Sequence, residues 1–509
     1  MGMRVQEDAS LYTKAGRALV WSVASTAIGK LSTLAIGVAL ARILGPEEFG
    51  TFAVAMVALL AVLSFNELGV SLAIVRWPGE PEEIAPTVAT LSVISSVVVY
   101  VCCYAGAPAF SGLMGQPDAT PVVRLLCLSV LVNGLVAAPA AILQRRFRQD
   151  RKMVADQVTT WVGALTSIGC AVSGLGAMSL AVGQLAGSLA GAILFAAFAP
   201  SGLRLGFDRT RARALLRFGL PLAGSSIVVF AAANVDRLIV GAVLGPVPLG
   251  IYVLAVNLSN WPIAVFSQPV RAVAPATLAR LQHDPAAMRR TFLSTAGLLA
   301  AVTLPVCAVL GGAAEPVIDL VYGSAWSAAA GTLPWLAAVA ALRILSELCY
   351  DYFVVLARTR VVFTAQLLWL VATVPVMLLG AHLVGVWGVA AAQVGVTLFV
   401  VLPVYLRELH RGELPAAAIL SSVAAPTAVA GVVALTAWLA ARWTGNDFMA
   451  ILVSGAAVAA AVGGLLVRLR GTVRELRGIG GPSPFDGAAP GDEPVLVVAV
   501  PVPERRGSR

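Results

Sequence analysis

The residues best able to bind ions or exchange protons are a few ionisable side chains inside long apolar runs. Three are basic and three acidic: Lys30, Arg237, Arg343, Glu67, Asp236 and Glu347. An ionisable group in the middle of a bilayer costs at least about 2.5 kcal/mol and usually faces a polar cavity or a partner of opposite charge. The chemistry these residues offer is therefore electrostatic: Arg and Lys bind anions, and carboxylates neutralise them or exchange protons.

Two of the bases have no obvious partner on their own helical face. Lys30 has no acid on its face, so it either lines a cavity or pairs with an acid on another helix. Arg237 follows Asp236 directly, but adjacent helical residues point about 100° apart, so the two need not pair. A cavity role and a structural role both remain open for Arg237.

The third base has acids at helical spacing. Glu347 follows Arg343 by four residues and Asp351 by eight, which favours an internal ion pair but also allows direct contact with cargo. Glu67 has no nearby base in its own helix, so it either couples proton flow or neutralises Lys30 or Arg343. We predict substrate binding by Lys30, Arg237, Arg343, Arg124 and Arg42, and coupling or charge pairing by Glu67, Asp236 and Glu347.

The elements that position these residues follow from composition. Of 509 residues, 59% are hydrophobic and 12% are charged, whereas soluble domains carry roughly 25% charged residues. The fold class is an all-α polytopic membrane protein with about fourteen spans of about 20 apolar residues each. The predicted spans are 18–41, 51–75, 86–107, 122–143, 155–174, 177–199, 219–244, 250–274, 291–311, 330–356, 361–381, 384–406, 419–441 and 448–468.

Basic residues concentrate in alternate connections, which predicts an even number of spans with both termini in the cytoplasm. Residues 1–17 form the cytoplasmic N-terminus, and the Gly/Pro-rich stretch 471–509 is predicted to be a disordered cytoplasmic tail. This loop bias also explains the net charge of +9 without nucleic-acid binding. The outer connections are short, and we predict no enzyme, no catalytic residue and no metal site. Tryptophans near span ends, including Trp326 and Trp443, are expected to anchor the membrane interface.

An internal repeat divides the chain. Leu44-Gly45-Pro46 with Gly50, Phe52 and Ala55 matches Leu244-Gly245-Pro246 with Gly250, Tyr252 and Ala255 at a constant offset of 200. An even number of predicted spans separates the copies, so the halves point the same way. We predict two parallel six-helix lobes, residues 18–217 and 218–406, related by an axis along the membrane normal. Residues 407–470 then form two extra helices.

The hairpin residues resemble a known family. Ala39-Leu40-Ala41-Arg42 with Leu44-Gly45-Pro46-Glu47-Glu48-Phe49-Gly50 resembles the first hairpin of the polysaccharide exporters, the Wzx-type flippases of the MATE-like superfamily. Further matching segments are Asn234-Val235-Asp236-Arg237-Leu238-Ile239-Val240-Gly241, Leu249-Gly250-Ile251-Tyr252, Pro275-Ala276, Leu278-Ala279-Arg280-Leu281 and Gln144-Arg145 with Phe147-Arg148. The similarity extends over nearly the whole chain up to the twelfth predicted span.

The resemblance implies a transporter of two helix bundles around a central cavity in the bacterial inner membrane. It would carry polyprenyl-pyrophosphate-linked oligosaccharide to the outer leaflet by alternating access, for surface polysaccharide biosynthesis. No cofactor is implied, although a proton or sodium gradient could drive transport. Implied partners are the lipid-linked glycan, membrane lipids, and a polymerase and glycosyltransferases of the same pathway. A peptidoglycan-precursor flippase is the nearest alternative, and a drug or cation antiporter a more distant one.

Overall fold

The computed structural model describes residues 34–63, 74, 80–146, 148–282, 284–411 and 414–471. Within these ranges the chain is helical, with turns between the helices and no strand. In the first half the helices are α1 (Leu34–Leu63), α2 (Pro81–Leu113), α3 (Thr120–Arg145), α4 (Gln149–Val172), α5 (Ala177–Phe198) and α6 (Arg209–Ile239). In the second half they are α7 (Pro246–Ser259), α8 (Gln268–Arg280), α9 (Pro285–Gly312), α10 (Ala314–Val321), α11 (Leu333–Val355), α12 (Thr359–Val384), α13 (Val386–Val396), α14 (Leu402–Arg411), α15 (Ala416–Trp443) and α16 (Asp447–Arg468).

In the described part of the chain, twelve helical segments are long and apolar enough to cross a membrane. Two features account for the difference between these twelve segments and the fourteen predicted spans. Leu34–Leu63 is one continuous stretch of helical residues that contains the turn at Gly45, where φ is +73°, and it covers parts of the first two predicted spans. The fifth predicted span lies in α4, whose first half carries Asp150, Arg151, Lys152 and Asp156. An all-α polytopic membrane fold is confirmed, and a count of fourteen spans stays a prediction.

The repeated hairpin turns lie against each other. Gly45 has φ +73° and Gly245 φ +94°, a left-handed conformation that glycine adopts without steric cost. A Cβ on Gly50 would lie 2.4 Å from the carbonyl oxygen of Pro246, and one on Gly250 would lie 3.1 Å from the carbonyl oxygen of Pro46. Each turn therefore contacts the other through equivalent residues, as a two-fold axis requires. The two turns lie at the same end of the bundle, which we call the outer end.

The lobes share one buried core at the outer end. Its largest cluster combines Ala41, Val54 and Met114 from the first lobe with Tyr252 and Trp326 from the second. At the opposite end, one cluster uses residues between Ile74 and Leu215, and another uses residues between Ala274 and Ile419. Among the described residues, the lobes are thus joined at the outer end and have separate cores at the other. The lobe boundaries at 217 and 406 stay predictions.

Candidate functional site: an ion-pair network in the second lobe

Four charged residues of α8 and α11 form one connected ion-pair network. The Arg271 guanidinium grips Asp351 with two parallel bonds: Nε donates to Oδ2 at 2.7 Å and Nη2 to Oδ1 at 2.9 Å. Its third nitrogen, Nη1, lies 2.9 Å from Glu347 Oε2. This two-pronged geometry is available to Arg and not to Lys, so Arg271 joins two acids of α11 that lie one helical turn apart.

The network continues to a second base. Arg343 Nε donates to Glu347 Oε1 at 2.9 Å, and the Arg343 side chain is 58% exposed, against 18% for Glu347 and 9% for Asp351. The exposed fraction of the side chain therefore rises along the network from Asp351, through Glu347, which both bases contact, to Arg343 near the middle of α11. The Nη atoms of Arg343 have no protein partner among the described residues. They are the network's free hydrogen-bond donors.

A widened helical turn precedes Arg271. Residues Ile263–Ser267 form a π-helical turn between α7 and α8, a departure from α-helix that often marks functional sites. Proline follows at Pro269 in the first turn of α8, where it removes one backbone N–H donor next to the π turn. The extra residue in the π turn rotates the face of α8 relative to α7, so this local irregularity sets the direction in which Arg271 projects.

The network confirms one predicted pair and adds a residue that the sequence analysis missed. The Arg343–Glu347 pair forms as its spacing predicts, whereas Asp351 binds Arg271 instead of Arg343. Arg271 lies near the end of the predicted span 250–274, and the sequence analysis does not include it among the candidate site residues. One signal was available: Glu347 and Asp351 outnumber Arg343 in their span, which requires a second base from another helix.

A separate polar cluster lies in the outer half of the second lobe. The hydroxyl of Tyr252, which is fully buried, donates to Asp236 Oδ2 at 2.9 Å and accepts a hydrogen bond from Gln393 Nε2 at 2.7 Å. Asp236 Oδ1 accepts from the backbone N–H of Arg237 at 2.8 Å. Asp236 is thus held by a tyrosine and a backbone amide. The side chains of Asp236 and Arg237 do not pair, which is consistent with their angular separation.

Arg237 has an incomplete set of partners. Its Nη1 donates to Asn234 Oδ1 at 2.9 Å, while its Nε is buried and has no hydrogen-bond partner among the described residues. A buried donor without a partner costs about 1–3 kcal/mol. No described contact joins Arg237 to Arg343, and the predicted role of Arg237 in substrate binding stays a prediction.

The remaining candidate bases lie at the outer end or outside the described residues. Arg124 donates from Nε to the carbonyl oxygen of Tyr104 at 3.3 Å, and its guanidinium lies 4.2 Å from the centre of the Tyr104 ring. Arg42 donates to backbone carbonyls of the second lobe. Lys30 and Glu67 lie outside the described residues, so their predicted roles are untested. No group of His, Cys, Asp and Glu in the described ranges has the geometry of a metal site.

The fold, with twelve described segments long and apolar enough to cross a membrane, is that of a polytopic membrane protein, and comparison with known proteins identifies its family. The family described as "Polysaccharide biosynthesis protein" matches residues 39–331. This match covers more than half of the chain, so the chain belongs to that family. The resemblance inferred from the hairpin residues is confirmed.

Two curated relatives and one solved structure extend the comparison. The chain is 26% identical over 348 residues to the succinoglycan biosynthesis transport protein ExoT of Rhizobium meliloti (strain 1021), covering 67% of this chain and 69% of the relative. It is 23% identical over 371 residues to the lipopolysaccharide biosynthesis protein WzxC of Escherichia coli (strain K12), covering 72% and 75%. The fold matches the lipid II flippase MurJ in an inward closed conformation, with a TM-score of 0.70, 13% identity, and coverage of 87% and 99%.

Proposed function

We propose that this protein moves polyprenyl-pyrophosphate-linked oligosaccharide from the inner to the outer leaflet by alternating access, for surface polysaccharide biosynthesis. Its family, and its similarity to a succinoglycan transport protein and a lipopolysaccharide biosynthesis protein, support this cargo class. The observation that carries the proposal is the exposed base Arg343 near the middle of a membrane helix. An exposed guanidinium at that depth suits a cavity that takes an anion.

The network explains how Arg343 could change partners at low cost. A pyrophosphate diester carries about two negative charges, and Arg binds phosphate with two parallel hydrogen bonds. When Arg343 turns toward such a group, Glu347 keeps its bond to Arg271 Nη1. The partly buried carboxylate is therefore never left unpaired, which would otherwise cost several kcal/mol. Arg271 thus acts as a positioning residue, and Arg343 as the residue that touches substrate.

The arrangement of the lobes agrees with loading from the cytoplasmic leaflet. The described residues share one core at the outer end and have separate cores at the other. With the predicted orientation, a lipid-tethered substrate would enter between the lobes from the cytoplasmic side while the outer end is shut. Rocking of one lobe against the other would then expose the headgroup to the outside.

The test is transport of lipid-linked oligosaccharide in proteoliposomes, scored by accessibility of the glycan to an external lectin. We expect Arg343→Gln to lower the initial rate at least about tenfold, and Arg343→Lys to keep part of it, because the anion needs positive charge. The matched control is Arg442→Gln, since Arg442 lies over the Trp438 ring at 4.4 Å and outside the network. Transport by Arg343→Gln within twofold of the unmodified protein would contradict the proposal.

Cargo and energy source are tested in the same assay. Replacing the oligosaccharide lipid by a peptidoglycan lipid precursor tests the alternative cargo, and faster transport of that precursor would overturn the proposed one. We further propose that a proton or sodium gradient drives transport, with Glu67 or Asp236 as candidate coupling acids. Collapse of the driving gradient by an ionophore selective for that ion should then stop net movement, and transport insensitive to collapse of both gradients would remove this part of the proposal.

A further inference from the structure

The outer end is held by a contact between the two lobes that centres on Trp326. Trp326 lies between α10 and α11 in the second lobe, and its side chain is fully buried. Its Nε1 donates to the carbonyl oxygen of Ala41 in the first lobe at 3.0 Å. Its ring also meets Phe49 edge-on, with ring centres 5.5 Å apart. The predicted role of Trp326 as a membrane-interface anchor is therefore wrong: the other lobe covers this residue.

Arg42 makes a second bond set across the same junction. Its Nε donates to the carbonyl oxygen of Val321 at 2.8 Å, and its Nη2 donates to that of Leu320. These carbonyls end α10, and a helix C-terminus carries partial negative charge that favours a cation. A base of the first lobe thus satisfies the open end of a helix in the second lobe.

A smaller counterpart follows from the repeat. Gly241 stands 200 residues after Ala41, and a Cβ on Gly241 would lie 2.8 Å from the sulfur of Met114. Met114 begins the connection between α2 and α3, the first-lobe equivalent of the connection between α9 and α11. Each lobe therefore packs an outer connection against the first helix of the other lobe. Only one copy has an Arg, because Ala242 stands at the position that corresponds to Arg42.

We propose that Trp326 and Arg42 form a clasp that keeps the outer end shut and sets how often this end opens. The inference rests on the proposed alternating access, since opening separates the lobes here. Opening would break the Trp326 bond and both Arg42 bonds at once, leaving donors and acceptors to be rehydrated. On the other side, opening would break only the van der Waals contact between Met114 and Gly241. The Arg42–Trp326 side of the outer end is therefore the one whose release limits opening.

The experiment measures the distance between the lobes at the outer end. Spin labels are placed at Leu113 and Leu383, which are 76% and 80% exposed and lie at the outer ends of α2 in the first lobe and α12 in the second. The full chain, with its native cysteines replaced by alanine, is reconstituted in nanodiscs. Pulsed electron–electron double resonance then gives the distribution of distances between the two labels in the absence of substrate.

We expect the unmodified protein to show one dominant short distance. Arg42→Gln and Trp326→Phe should each raise the long-distance population at least about fivefold, since each loses hydrogen bonds that only the shut state makes. The matched control is Glu48→Ala. Glu48 lies in the same hairpin, but its Oε2 accepts from the backbone N–H of Ala177 at 2.7 Å, a bond within the first lobe. This control should leave the distribution unchanged.

Two results would overturn the clasp. One is an unchanged distance distribution in Arg42→Gln. This variant keeps the test valid even if Trp326→Phe fails to fold, because the exposed Arg42 side chain can be replaced without leaving a cavity in the core. The other is an equal shift in Glu48→Ala, which would mean general loosening of the hairpin. Because the measurement uses no glycan, it separates the two proposals. A shift in distance without glycan transport would retain the clasp and reject the cargo.

Discussion

Replacing Arg271 should destabilise the protein strongly, because two acids depend on it. Arg271→Gln removes three charge-assisted bonds, of 2.7, 2.9 and 2.9 Å. Asp351 is 9% exposed and would lose its only described basic partner. Removing one partner of a buried pair costs about 3–5 kcal/mol, and the 28% exposure of Arg271 places this case near the lower value. We expect a loss of about 3 kcal/mol.

The assay is a double-mutant cycle on detergent-solubilised protein, read as the temperature at which the monodisperse peak is lost. Arg271→Gln alone should lower this temperature by about 5 °C. Arg271→Gln with Asp351→Asn should recover at least half of that loss, since no unpaired buried carboxylate remains at position 351. Arg343→Gln, at the exposed end of the network, should cost less than about 1 kcal/mol. Equal losses in the single and double variants would refute the reasoning, because they would show that Arg271 and Asp351 are not coupled.

Three further predictions concern other parts of the molecule. Gly50→Val should abolish folding, because a Cβ there would lie 2.4 Å from the carbonyl oxygen of Pro246. The control Gly37→Val should fold, since nothing lies within 4 Å of its Cβ position, and equal yields of the two variants after gel filtration would contradict the close contact. Tyr252→Phe should cost about 1–3 kcal/mol, since Asp236 and Gln393 each lose a bond to its hydroxyl, and a melting temperature equal to that of a Tyr104→Phe control would argue against this chain of bonds. An impermeant maleimide should label Ser324→Cys from outside and Gly206→Cys only after permeabilisation, and the reverse labelling would invert the topology.

What the sequence could predict depends on how local the cause is. Long apolar runs show where helices cross a membrane, and the spacing of Arg343 and Glu347 gave their pair, because both are properties of a single segment. The bond between Arg271 and Asp351 joins residues 80 positions apart, and no local pattern encodes it. The same limit applies to Trp326: the sequence around an aromatic residue at a span end does not distinguish burial by lipid from burial by the other lobe.

The reciprocal contact of Gly50 and Gly250 makes this chain equivalent to a covalently joined homodimer. In a homodimer with two-fold symmetry, every substitution appears in both subunits. Here the halves are encoded separately, so each can change without the other. Ala242 in place of a second Arg42, and Trp326 without a matching tryptophan in the connection that begins at Met114, are differences of this kind. The junction therefore has hydrogen bonds on the side of Arg42 and Trp326 and packing on the side of Met114 and Gly241, a difference that identical subunits cannot have.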